Sequence, residues 1–78
     1  MTAENLIHMA NRIGQFFAAM PDRDEALREI AQHLRKFWAP SMRQALLSHL
    51  EQAGDAGLLD IVRDALHQHR ASLQPGHA

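Results

Sequence analysis

The sequence predicts an all-α fold, a small bundle of four short helices at about residues 3–20, 22–38, 40–53 and 58–70. Three observations carry this reading. Apolar residues recur at helical spacing along most of the chain, and nowhere do they alternate as a strand requires. Pro21 and Pro40 each interrupt that pattern beside a residue suited to open a new helix. Gly54 and Gly57 bracket a short connection before the last periodic stretch. Residues 1–70 form one helical domain on this reading, and residues 71–78 a frayed tail.

In the first helix Leu6, Met9, Ala10, Ile13, Phe17 and Met20 fall on one arc, with Ile7 and Phe16 at its edges. Asn5, His8, Asn11, Arg12 and Gln15 lie opposite. The arc spans nearly half the circumference, so the helix requires neighbours on more than one side. Met20-Pro21-Asp22 breaks it, and Asp22 with Glu25 has capping-box spacing for the second helix. That helix carries Leu27, Ile30, Ala31, Leu34, Phe37 and Trp38. Its acidic residues sit toward the start and Arg35 and Lys36 toward the end, as the helix macrodipole favours.

Pro40 disfavours the α region for Ala39, so the second helix ends near Trp38 while Pro40 occupies the first turn of the third. The third helix buries Met42, Ala45, Leu46, Leu50 and Ala53, with Leu47 off to the side, and Gly54 is placed as its left-handed cap. The fourth shows Leu58, Val62, Ala65 and Leu66, flanked by Leu59 and Ile61.

Composition narrows the function. Seventy-eight residues allow one small domain with a thin stability margin, for which a partner or a second copy is a natural remedy. The absence of cysteine excludes disulfides, thiolate metal sites, cysteine-ligated iron–sulfur clusters and a cysteine nucleophile. A net charge of −1 indicates neither a nucleic-acid glove nor an acidic tail. No secretory signal and no membrane-spanning run is evident, so the expected setting is cytoplasmic.

Side-chain chemistry is sparse. None of the six histidines has a histidine partner at the three- or four-residue spacing that two ligands on one helix face need. His33, His49 and His69 fall on or beside apolar arcs and read as hydrogen-bonded boundary residues. Ser41, Ser48 and Ser72 lack a nucleophile elbow, and the four glycines form no phosphate-binding loop. An autonomous enzyme is therefore not expected. A helix-turn-helix presenting Arg43, Gln44 and Ser48 to base edges is an alternative, but its recognition helix would offer a single cation. A self-associating bundle is another.

The Pro40 corner is more suggestive. Arg35, Lys36 and Arg43 surround Trp38, and no acidic residue appears between Ile30 and Leu50. A basic rim about an aromatic is the composition of many interface hot spots. The competing reading has the cations capping the helix end and Trp38 in the core. Both stay open at this point.

At these residues the chain resembles the delta subunit of NAD-dependent, molybdenum-containing formate dehydrogenases. The resemblance rests on Met9-Ala10-Asn11-Arg12-Ile13, Phe16-Phe17, His33 and Phe37-Trp38-x-Pro40-x-Met42-Arg43. Leu46-Leu47, His49-Leu50, Gly57-Leu58 and Val62–Leu66 extend it to roughly residues 5–70. Ala39 and Ser41 stand where the family usually has an acidic residue and an arginine, and Asp60 where it often has proline. The resemblance implies a non-catalytic accessory subunit or assembly factor of a cytoplasmic enzyme. The molybdopterin, iron–sulfur clusters, FMN and NAD would sit on larger subunits, and this chain would bind no cofactor. It would dock on those subunits through Phe37, Trp38, Pro40, Met42 and Arg43, with Arg35 and Lys36 beside them and Phe16 and Phe17 behind or beside them. Neither nucleic acid nor membrane is implied as a partner; a homo-oligomer is compatible.

Overall fold

A computed structural model of the chain describes residues 2–75. Five helices follow one another: α1 (Ala3–Phe17), α2 (Arg23–Phe37), α3 (Pro40–Ala53), α4 (Asp60–Gln68) and α5 (Arg70–Leu73). The architecture is the expected all-α bundle, with a fifth short helix where four were predicted.

Helix α1 opens on Thr2, whose Oγ1 accepts from the Asn5 amide at 3.2 Å. It stops at Phe17, three residues earlier than predicted. Pro21 disfavours helical backbone at Met20, and the Met20 amide instead closes a tight turn on the Phe17 carbonyl at 3.0 Å. Asp22 caps α2 as predicted, accepting from the Asp24 and Glu25 amides at 3.0 and 3.3 Å. Trp38 and Ala39 are extended, and Pro40 starts α3 at its first position with no side-chain cap. The Ala39 methyl cannot accept the hydrogen bond that an acidic residue there could. Gly54 follows α3 with φ +82°, the positive φ expected of a glycine cap, but ψ −166° takes the chain away from the left-handed helical region.

The last third departs most from expectation. Helix α4 begins at Asp60 rather than Leu58, the position at which a family proline would occupy a first helical turn. It ends at Gln68, and α5 follows instead of a tail fraying from residue 71. Leu73 is 1% exposed, so this turn is tied down by burial. Residues 76–78 of the predicted tail lie outside the described residues.

Helix α2 packs against all four other helices and α1 against α2, α3 and α4. Leu6, Ile30, Leu34, Leu46, Val62 and Leu66 form the centre of the core. On α3 the buried residues are Leu46, Leu47 and Leu50, while Ala45 and Ala53 are exposed, reversing the predicted places of Leu47 and the two alanines. Asn11, predicted to face solvent, ties α1 to the α3–α4 connection. Its Nδ2 donates to the Gly57 carbonyl at 2.7 Å and its Oδ1 accepts from the Leu59 amide at 2.9 Å. Arg23 of α2 reaches Asp64 of α4 at 2.8 Å, and Arg63 joins that carboxylate at 3.0 Å.

Candidate docking face

The Pro40 corner divides. Trp38 is 6% exposed and belongs to the core, whereas Phe37, its chain neighbour, is 72% exposed. The backbone turns extended at Trp38, and its ring closes the end of the bundle with Leu34, Leu46, Leu47, Leu66 and Leu73. Arg43 lies among the same residues, with its Nε buried and unpaired. Met42 is partly buried against the core, and Pro40 is exposed at the start of α3. Trp38 is therefore corrected from a docking anchor to part of the core, while Arg43 is half-buried beside it with its Nε covered. Phe37, Arg35 and Lys36 do face solvent.

What the structure builds in place of that corner is an aromatic strip across α1 and α2. Phe16, 75% exposed, meets Phe17 edge-on with ring centroids 5.0 Å apart. Phe17 meets His33 of α2 at 6.1 Å, and His33 meets Phe37 one turn further at 4.8 Å. These spacings are those of favourable aromatic pairs, worth about 0.5–1.5 kcal/mol each beyond burial. The pairs hold the strip's rings in place before anything binds. Two large phenyl rings left in water on one strip are the feature of this surface that folding itself does not explain.

The strip has charged edges. Arg12 borders a shallow groove with Ile13, Phe16, Phe17 and His33, and Lys36 and Glu29 border the next, with Phe17, His33 and Phe37. Arg12, Arg28, Arg35, Lys36 and Arg43 make no ion pair among the described residues, whereas Arg23, Arg63 and Arg70 are tied to Asp64, to Asp55, Asp60 and Asp64, and to Glu51. Hydrogen bonds from Arg23 and then Arg63 hold the Asp64 carboxyl below the usual carboxylate range, and Asp64 in turn raises Arg63.

Sequence reasoning placed Phe16 and Phe17 near the site but missed that His33 bridges them to Phe37. Residues on two helices were needed for that, and no single-helix periodicity contains it. His69 sits at the α4–α5 junction with its Nε2 buried and unpaired, and His49 is half-buried on α3. Among the described residues no three histidine or carboxylate side chains are grouped so that they could hold a metal ion. With no thiolate in the chain, this donor set does not fit an iron–sulfur cluster. No described helix is long and apolar enough to cross a membrane.

The family model for the NADH-dependent formate dehydrogenase delta subunit FdsD matches residues 5–66, from the first turn of α1 into the last turns of α4. No curated protein and no solved structure matches the chain.

Proposed function

Since this chain belongs to the FdsD family of NADH-dependent formate dehydrogenase delta subunits, we propose that it is a non-catalytic accessory subunit docking on a larger subunit through the Phe16–Phe17–His33–Phe37 strip. The observation that carries this reading is the outward placement of Phe16 and Phe37 on a strip whose rings already pack on one another. Covering such rings removes apolar surface from water at about 25 cal/mol per Å². Little side-chain entropy is lost in doing so, because neighbouring rings restrict them already. On this reading the redox groups and the chemistry reside on the larger subunits in the cytoplasm, and this chain supports their assembly or their retention.

The test uses Phe16→Ser with Phe37→Ser. Both side chains are exposed in the free chain, so the variant keeps its helical fold and loses only the two ring pairs, about 0.5–1.5 kcal/mol each. Trp38→Ala, by contrast, would empty part of the core. Truncating central aromatic anchors costs about 2 kcal/mol each, so the pair should weaken association with the larger subunits by about 1,000-fold. Enzyme purified with the variant should lack this chain. Normal co-purification of the double variant overturns the assignment of the strip. Cofactor content of the enzyme made without the chain then separates a role in assembly from a role in holding the finished complex.

A further inference from the structure

The aromatic strip does not end at Phe37. Gln32 and Lys36 border it and also line a second groove, about 460 Å³ in volume, between α2 and the α4–α5 junction. Its other walls are Arg28, Ala31, Arg35, His69 and Ser72, and among the described residues no carboxylate lines it. Positions 28, 32, 35 and 36 fall within about 100° of one another around α2 and run for about 12 Å along it. Three cations thus stand on one face without an ion pair among the described residues, whereas Arg23, Arg63 and Arg70 are each held by a carboxylate.

We propose that this groove receives an acidic segment of the larger formate dehydrogenase subunit. Its carboxylates would meet Arg28, Arg35 and Lys36 while an adjoining apolar side chain reaches the strip at Phe37. The inference rests on the docking reading above and adds the chemistry of the partner. The shape argues for a polypeptide rather than a small anion. A compact anion needs donors converging on one point, whereas these cations are strung along two turns of helix beside an apolar strip. Guanidinium groups are suited to paired contacts with carboxylates, and a row of them steers an oppositely charged segment into register.

The experiment measures association of the full chain with the purified larger subunits at low and high salt. It compares the wild type, Arg28→Glu/Arg35→Glu/Lys36→Glu, the matching triple glutamine variant, and Phe16→Ser/Phe37→Ser. Because reversal places negative charge at the end of α2, the glutamine variant serves as the folded control. The wild type should bind about tenfold faster or more at low salt than at high salt. The glutamine variant should lose most of that salt dependence, and the glutamate variant should bind about 100-fold more weakly. Wild-type binding by both charge variants, with binding lost in the phenylalanine variant, refutes the acidic partner while leaving the docking strip intact. Wild-type binding by all three refutes the docking reading as well. Inorganic phosphate bound at these residues, or a dimer of the free chain abolished by the charge variants, refutes the proposal if association with the larger subunits is unaffected.

Discussion

Gly14 is the position where a single methyl group should reveal how tightly α1 and α4 approach. It lies on the buried face of α1 one and two turns beyond Ala10 and Leu6. A Cβ built on it would overlap the Val62 Cγ2 methyl and lie 3.3 Å from the Ile61 Cγ2. In a helix without neighbours, Gly14→Ala would stabilise by about 1 kcal/mol through lower backbone entropy. Here Val62 is fully buried and β-branched, so it has no free rotamer to retreat into. Overpacking of this kind costs about 1–3 kcal/mol. The net expectation is a loss of about 1 kcal/mol, seen as a fall of roughly 4–8 °C in Tm for a domain of this size. Urea unfolding followed by circular dichroism measures it. Adding Val62→Ala removes the obstructing methyl, so the two substitutions should couple favourably by about 1 kcal/mol instead of adding. A Gly14→Ala variant more stable than the wild type, with no coupling to Val62, would refute the close approach.

Three further perturbations test the rest of the frame. Asn11→Ala removes both hydrogen bonds to the α3–α4 connection and should cost about 1–3 kcal/mol in denaturant unfolding. Leu73→Ala should cost about 2–4 kcal/mol, because Leu73 is buried and its removal leaves a cavity; a loss under 0.5 kcal/mol would restore the frayed tail. Asp64 titrates below its usual range because Arg23 and Arg63 hydrogen-bond it. The stability it contributes is therefore present above the unfolded value of about 3.9 and lost as pH falls through the lower folded value. Asp64→Asn should thus be less stable than the wild type near neutral pH and indistinguishable from it once the Asp64 carboxyl is protonated in both the folded and the unfolded state, as thermal scans across acid pH would show.

The helices were legible because their punctuation is local. Asp22 as a cap and Pro40 as a first-turn residue act within a few positions, and both stand where the sequence placed them. Part of the corner was legible too. Around α2, Trp38 falls about 20° from Leu27 while Phe37 falls about 80° away, at the stripe's edge, which matches the burial of one and exposure of the other. On α3, Arg43 falls between Leu46 and Leu47 on the helical projection, which is why it lies over the interior. Three features were not legible. Gly14 against Val62, Asn11 against Gly57 and Phe17 against His33 all join residues far apart in the chain. Leu73 was missed because four residues are too few for a periodic signal, and its helix depends on packing against α2, α3 and α4.

The central claim, that the strip across α1 and α2 is the surface in contact with the larger enzyme, is tested most directly by site-specific photo-crosslinking in the intact complex. A benzophenone side chain at Phe37, and separately one at Gln52 on the exposed part of α3, would be irradiated after assembly and the adducts identified by mass spectrometry. The account predicts an adduct to a larger subunit from position 37 and none from position 52. Adducts from position 52 alone would contradict it.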